Sequence, residues 1–241
     1  MRIFTKRKNN EIKPTIFEYY QDESSSAVEF RRLTRNIWQN TSQEVNSLMV
    51  TSATAGEGKT LLAANLAITI AKSEGKRVLL IDCDMRRPAV HSLFSLERDV
   101  GLGSLLMEET ALEETIQNTE LENLKIITSG KDVISPMRLL GSERTEEILD
   151  ECKPQFDLII CDTPPIIAVH DAEVLVPYVD GVLLVVLAGK TFQQVVMRSI
   201  EVLKEAQANV LGVVLNDMKG MLPYYYQPKY YNDEYYSEES S

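Results

Sequence analysis

The stretch TSATAGEGKT, residues 51–60, decides how the rest of the 241-residue chain is read. It follows an apolar run, SLMVTS (47–52), and opens a longer helical pattern, GKTLLAANLAITIAKSEG (58–75). Residues 53–60 satisfy most of the phosphate-loop pattern G-x-x-x-x-G-K-[ST], with Ala53 in place of the first glycine. Each remaining part has a chemical reason. Gly56 and Gly58, flanking Glu57, let the backbone turn so that its N–H groups point at phosphate oxygens. The helix that follows adds the positive end of its dipole. Lys59 reaches the terminal phosphates, and Thr60 offers a hydroxyl to Mg²⁺. The segment therefore predicts a bound nucleoside triphosphate, ATP with Mg²⁺, with Gly56, Glu57, Gly58, Lys59 and Thr60 as its binding residues.

Working outward, five more β-branched apolar runs read as buried strands: 77–82, 124–129, 156–162, 181–187 and 209–216. Helical patterns lie between them, among them FQQVVMRSIEVLKEAQ (192–207). Alternating strands and helices predict an α/β fold of the P-loop NTPase type: a mostly parallel central sheet with helices on both faces. Right-handed crossovers bring every strand's C-terminal end to one edge, where such folds bind ligands. Two runs end there in carboxylates. LLIDCDMRRP supplies Asp82 and Asp84, and LIICDTPP supplies Asp162. A lone strand-end aspartate is often a helix cap. Two such sites beside a phosphate loop point instead to the metal and the transferred phosphate. The expected catalytic set is Lys59, Asp82, Asp84 and Asp162. Thr60, Asp82 and Asp162 are the candidate metal ligands, with Asp162 on the metal side and Asp82 nearest the attacking group. Arg86 and Arg87 either neutralise developing charge or lie on the surface. Asn216, ending the last strand, either reads the nucleobase or forms a turn.

Composition narrows the classes. A net charge of −11 argues against nucleic-acid binding. Cys83, Cys152 and Cys161 have no metal-type spacing and read as buried free thiols of a reducing compartment. No apolar run reaches the ~18 residues of a membrane span. The start, MRIFTKRKNNEIK, is basic, and either solvated or in contact with anionic lipid. Three regions are expected: a flexible basic arm (1–26), the nucleotide domain (27–218) and a disordered tail (219–241). The tail holds Tyr224, Tyr225, Tyr226, Tyr230, Tyr231, Tyr235 and Tyr236 among acids, serines and prolines. His91 and His170 lack ligand-spaced companions and read as structural. Trp38 packs either at an interface or on the core.

Taken together, TSATAGEGKT, LLIDCDMRRP and FDLIICDTPP resemble the Walker A, A′ and B motifs of the bacterial tyrosine kinases of capsular and exopolysaccharide synthesis. EFRRLTRNI, AVHSLF, GLGSLL, ANVLGVVLND and the tyrosine cluster extend the resemblance over residues 28–217 and the tail. The resemblance implies an ATP-dependent kinase that phosphorylates its own seven tail tyrosines in trans. It also implies a ring joined through Glu29, Arg32 and Arg35, an E-x-x-R-x-x-R set spaced to share one helical face. The expected form is cytoplasmic and stand-alone, recruited to the membrane's inner face by a transmembrane adaptor and opposed by a tyrosine phosphatase. The competing resemblance is to partitioning and division-site ATPases, nucleotide-driven assembly switches. Those carry a signature lysine where this chain has Thr54, and they lack a tyrosine tail. Two departures from the kinase pattern stand out: Ala55 replaces a common proline, and SGKDVISP (129–136) lacks a proline-rich run.

Overall fold

The computed structural model describes residues 15–41 and 44–217. Residues 1–14 of the expected arm, the 219–241 tail and its seven tyrosines lie outside the described residues.

Seven strands form one sheet in the order β3-β4-β2-β5-β1-β6-β7. They are β1 (Ser47–Ser52), β2 (Val78–Asp82), β3 (Ile116–Asn118), β4 (Leu124–Ile127), β5 (Leu158–Asp162), β6 (Gly181–Leu187) and β7 (Val210–Asn216). Every pairing is parallel except the edge pair of β3 with β4. The helices are α1 (Ile16–Tyr19), α2 (Ser25–Asn40), α3 (Lys59–Ser73), α4 (Val90–Phe94), α5 (Leu102–Leu106), α6 (Leu112–Thr115), α7 (Pro136–Leu140), α8 (Glu143–Cys152) and α9 (Gln193–Glu205). No helix among the described residues is long and apolar enough to cross a membrane.

The period-2 geometry of strands sorts the core into two layers. Met49, Leu79, Ile81, Ile159, Cys161, Leu184 and Val186 face a cluster completed by α5, α8 and α9. Their neighbours Leu48, Val50, Leu80, Ile160, Leu183 and Val185 face the other cluster, built on α3 with Ile16, Ile37 and Phe94. Both sheet faces are buried, which explains the unbroken apolar runs. Cys83, Cys152 and Cys161 are buried free thiols, as expected.

Two elements differ from the sequence reading. The fold begins inside the stretch read as an arm. Ile16 is buried, the Phe17 ring meets Phe94 edge-on, and the Tyr20 and Thr69 hydroxyls share a hydrogen bond of 3.0 Å. Helix α2 also starts inside that stretch, at Ser25, where the Ser24 hydroxyl accepts the Ala27 N–H and caps it. β3 is the second difference, a three-residue edge strand. Trp38 is half-buried against the α3 cluster. Its indole N–H donates to Glu74, and the Lys76 ammonium lies 4.1 Å from its ring centre.

Candidate nucleotide site

The sheet's parallel register assembles the site. β5 lies between β1 and β2, so Asp162 pairs across to Asp82 on one side and to Val50 on the other. The loop leaving β1 is pinned at its base by Ala53 N–H to the Val185 carbonyl and by the Ser52 hydroxyl to the Thr54 carbonyl. Gly56 and Gly58 both take positive φ, +85° and +88°, a conformation that L side chains rarely adopt. Helix α3 starts at Lys59, so its free N-terminal amides face the loop.

Lys59 is the centre of the charge arrangement. Its Nζ lies 2.8 Å from Asp84 Oδ2 and 3.4 Å from Asp162 Oδ1, and donates to Thr60 Oγ1 at 3.2 Å. Burial alone would lower its pKa, but Asp162, Asp84 and Asp82 outweigh burial and raise it. The carboxylates are also pushed up. Asp82 rises to about 8, chiefly by burial and then by the Asp162 charge. Asp162 rises to about 6, again chiefly by burial, with Lys59 and the Thr60 hydroxyl pulling the other way. Asp82 Oδ1 accepts Asp84 N–H, and its Oδ2 accepts the Ala89 and Val90 amides at the start of α4. Asp84 Oδ1 accepts Arg87 N–H.

Asp162 Oδ2 is buried and accepts no hydrogen bond among the described residues. Such an orphan oxygen beside the Thr60 hydroxyl is a hard-oxygen position that fits Mg²⁺. No cage of three or more His, Cys, Asp or Glu side chains exists among the described residues.

The other candidates fall as follows. Arg86 is committed to Asp171 through two hydrogen bonds of 2.7 and 2.9 Å, tying the loop after β2 to the loop after β5. Arg87 is exposed and contributes its backbone amide. Asn216 reaches the phosphate loop, where its Nδ2 donates to the Glu57 carbonyl at 2.8 Å. The Glu57 side chain is buried and turned into the protein. Glu29, Arg32 and Arg35 are all exposed on α2 and form no ion pair among the described residues. His170 meets Glu173 at 2.8 Å, a local surface contact. Two site residues escaped the sequence reading. Asp171 is a buried partner of Arg86, and Thr191 contacts Glu57. The only signal for Thr191 is a hydroxyl residue just ahead of a helix. A concavity of about 530 Å³ lies at the opposite edge of the sheet, lined by Trp38, Lys76, Phe156 and Asp157 among others. Trp38 and Asp157 already use their polar atoms there, on Glu74 and Arg77, so it is not the site of the chemistry.

Comparison with known proteins bears on this geometry. The family model described as an AAA domain matches residues 46–211. The chain is 36% identical to tyrosine-protein kinase YwqD of Bacillus subtilis over 89% of its own length and 90% of that protein's. Among solved structures, the kinase domain of the Escherichia coli tyrosine kinase ETK superposes with a TM-score of 0.79. It is 34% identical, covering 88% of this chain and 84% of that one. The Pyrococcus furiosus cell division ATPase MinD follows at a TM-score of 0.61 and 26% identity, covering 70% of this chain and 71% of that one.

Proposed function

Because this chain belongs to the bacterial tyrosine-protein kinases built on an AAA domain, we propose that it transfers phosphate from Mg-ATP to its own tail. The substrate hydroxyls are Tyr224, Tyr225, Tyr226, Tyr230, Tyr231, Tyr235 and Tyr236. The observation that carries this reading is Lys59, held between Asp84 and Asp162 at the mouth of a phosphate loop. Lys59 binds the terminal phosphates and needs only to swing away from Asp84. Asp82, at the end of β2 directly across from Asp162, is the acceptor for the tyrosine proton, a role its place at the strand ends beside the phosphate loop supports. Thr60 and Asp162 hold Mg²⁺, which when bound neutralises charge on the phosphates.

The chain acts on capsular or exopolysaccharide synthesis at the membrane's inner face, through a transmembrane adaptor whose cytoplasmic segment orders the nucleotide site. A cognate phosphatase resets the tail. Subunits associate through Glu29, Arg32 and Arg35; their lack of partners within the described chain supports this, since three charges on one exposed helix face are available to a second copy. Each phosphotyrosine adds about −1.5 to −2 charge. A fully modified tail is therefore repelled from acidic neighbours, and the assembly loosens.

The test joins sedimentation velocity to an anti-phosphotyrosine assay with Mg-ATP and the adaptor segment. The Glu29→Ala/Arg32→Ala protein is expected to sediment as a monomer and to bind nucleotide normally. Its tail phosphorylation should fall about tenfold or more, because trans transfer loses its high local concentration. An unchanged sedimentation profile contradicts the interface. ATP turnover without phosphotyrosine in the unmodified protein favours the assembly switch.

A further inference from the structure

A glutamate in the middle of a loop built for polyphosphate is an electrostatic oddity, because its charge opposes the ligand's. Here the Glu57 side chain is only 2% exposed. One carboxylate oxygen accepts Thr54 N–H at 2.7 Å, and the other accepts the Thr191 hydroxyl. Thr191 lies 134 residues downstream of Glu57, in the turn between β6 and α9. A threonine hydroxyl carries one proton. Leu187 N–H donates to the same hydroxyl oxygen at 3.0 Å, which leaves that proton for Glu57. The turn itself is closed by Lys190 and Thr191 amides on the Leu187 carbonyl, so the hydroxyl has a fixed position.

We propose that Thr191 is a positioning residue of the nucleotide site. It draws the Glu57 carboxylate away from the phosphates and, through Glu57, holds Thr54 N–H and the curve of the loop. Without the hydroxyl, a buried carboxylate loses one of its two donors, an expensive state that it relieves by turning toward solvent. The exposed residues nearest to it in sequence, Thr54, Ala55 and Gly56, belong to the phosphate loop itself. The loop then loses its brace and gains a negative charge facing the ligand.

The inference rests on the nucleotide reading above, so its test measures binding rather than phosphotyrosine. Titration with a fluorescent ADP analogue and Mg²⁺ is expected to show about tenfold weaker binding by Thr191→Val, the size of one hydrogen bond to a charged group. KM for ATP should rise alongside while kcat stays within about twofold, the pattern of lost ground-state binding. Thr191→Ser should restore wild-type affinity. Thr191→Val/Glu57→Gln should bind no more weakly than Thr191→Val, because Thr191 acts through Glu57. If Thr191→Val melts below the assay temperature, Thr191→Ala takes its place with the same expectation. Wild-type affinity in the Val or Ala variant overturns the proposal, as does weak binding by Thr191→Ser or losses that multiply in the double variant. A wild-type protein that binds no analogue instead refutes the nucleotide reading, so the two failures are distinct.

Discussion

Lys59→Met is expected to abolish tyrosine phosphorylation and to cost the ligand-free domain about 3–5 kcal/mol of stability at pH 8, the cost of breaking a buried ion pair. The lysine has two jobs. Toward the ligand it supplies the positive charge that meets the terminal phosphates, and loss of such a preorganised group lowers rates at least about a hundredfold. Toward the protein it compensates Asp84, Asp162 and Asp82, all of them buried. Removing it leaves three carboxylates together without a counter-charge. The stability cost has a sign in pH. Asp82 and Asp162 have folded pKa values raised to about 8 and about 6. A carboxyl raised in this way gives stability that is present below its unfolded value of about 4 and lost as pH rises through the folded value. Lys59 lowers both, so its loss steepens the decline. Urea unfolding in EDTA should show a small gap between variant and wild type at pH 5 and a wide one at pH 8. A gap that is equal at both values contradicts the shared-charge account.

Gly58→Ala is the second large effect. At φ +88° an alanine is strained by about 1–2 kcal/mol. A Cβ there would also collide with the Asn216 amide nitrogen, which is engaged on the Glu57 carbonyl. Either the loop turns over or Asn216 is expelled, and both outcomes dismantle the phosphate-binding backbone. Nucleotide affinity should fall about tenfold or more, each 1.4 kcal/mol being a factor of ten. Adding Asn216→Ser should recover little, since it removes the collision but also the hydrogen bond to the Glu57 carbonyl, and it leaves the strain. By contrast, Gly56→Ala has the same φ problem but no atom within 4 Å of a new Cβ, so it should cost less. Calorimetric titration of the three variants checks the order, and equal losses at both glycines would contradict it.

The sheet was legible because its strands are buried on both faces, so six apolar runs stood out against polar loops. β3 did not, since Ile116–Asn118 is a short, partly exposed edge. Ile16, Phe17 and Tyr20 were hidden among charged neighbours, and only their tertiary contacts with α3 and α4 show that they belong to the core. In the site, Lys59, Thr60 and the aspartates sit at strand ends or a helix start and can be read by spacing. Thr191 on Glu57, Asp171 on Arg86 and Asn216 on the loop pair residues 85 to 159 positions apart. No local pattern encodes such distances. The motif likewise names Glu57 as a loop residue without saying that its side chain faces inward.

The most direct measurement of the central claim is a phosphosite map after incubation with Mg-ATP and the adaptor's cytoplasmic segment. Wild-type protein and Lys59→Met are compared by mass spectrometry, at a temperature where both remain folded. The account predicts phosphate on tyrosines between 224 and 236 in the wild type and none in Lys59→Met alone. It also predicts that Lys59→Met acquires phosphate on its tail when mixed with active subunits. ATP consumed with every tail tyrosine unmodified would contradict it.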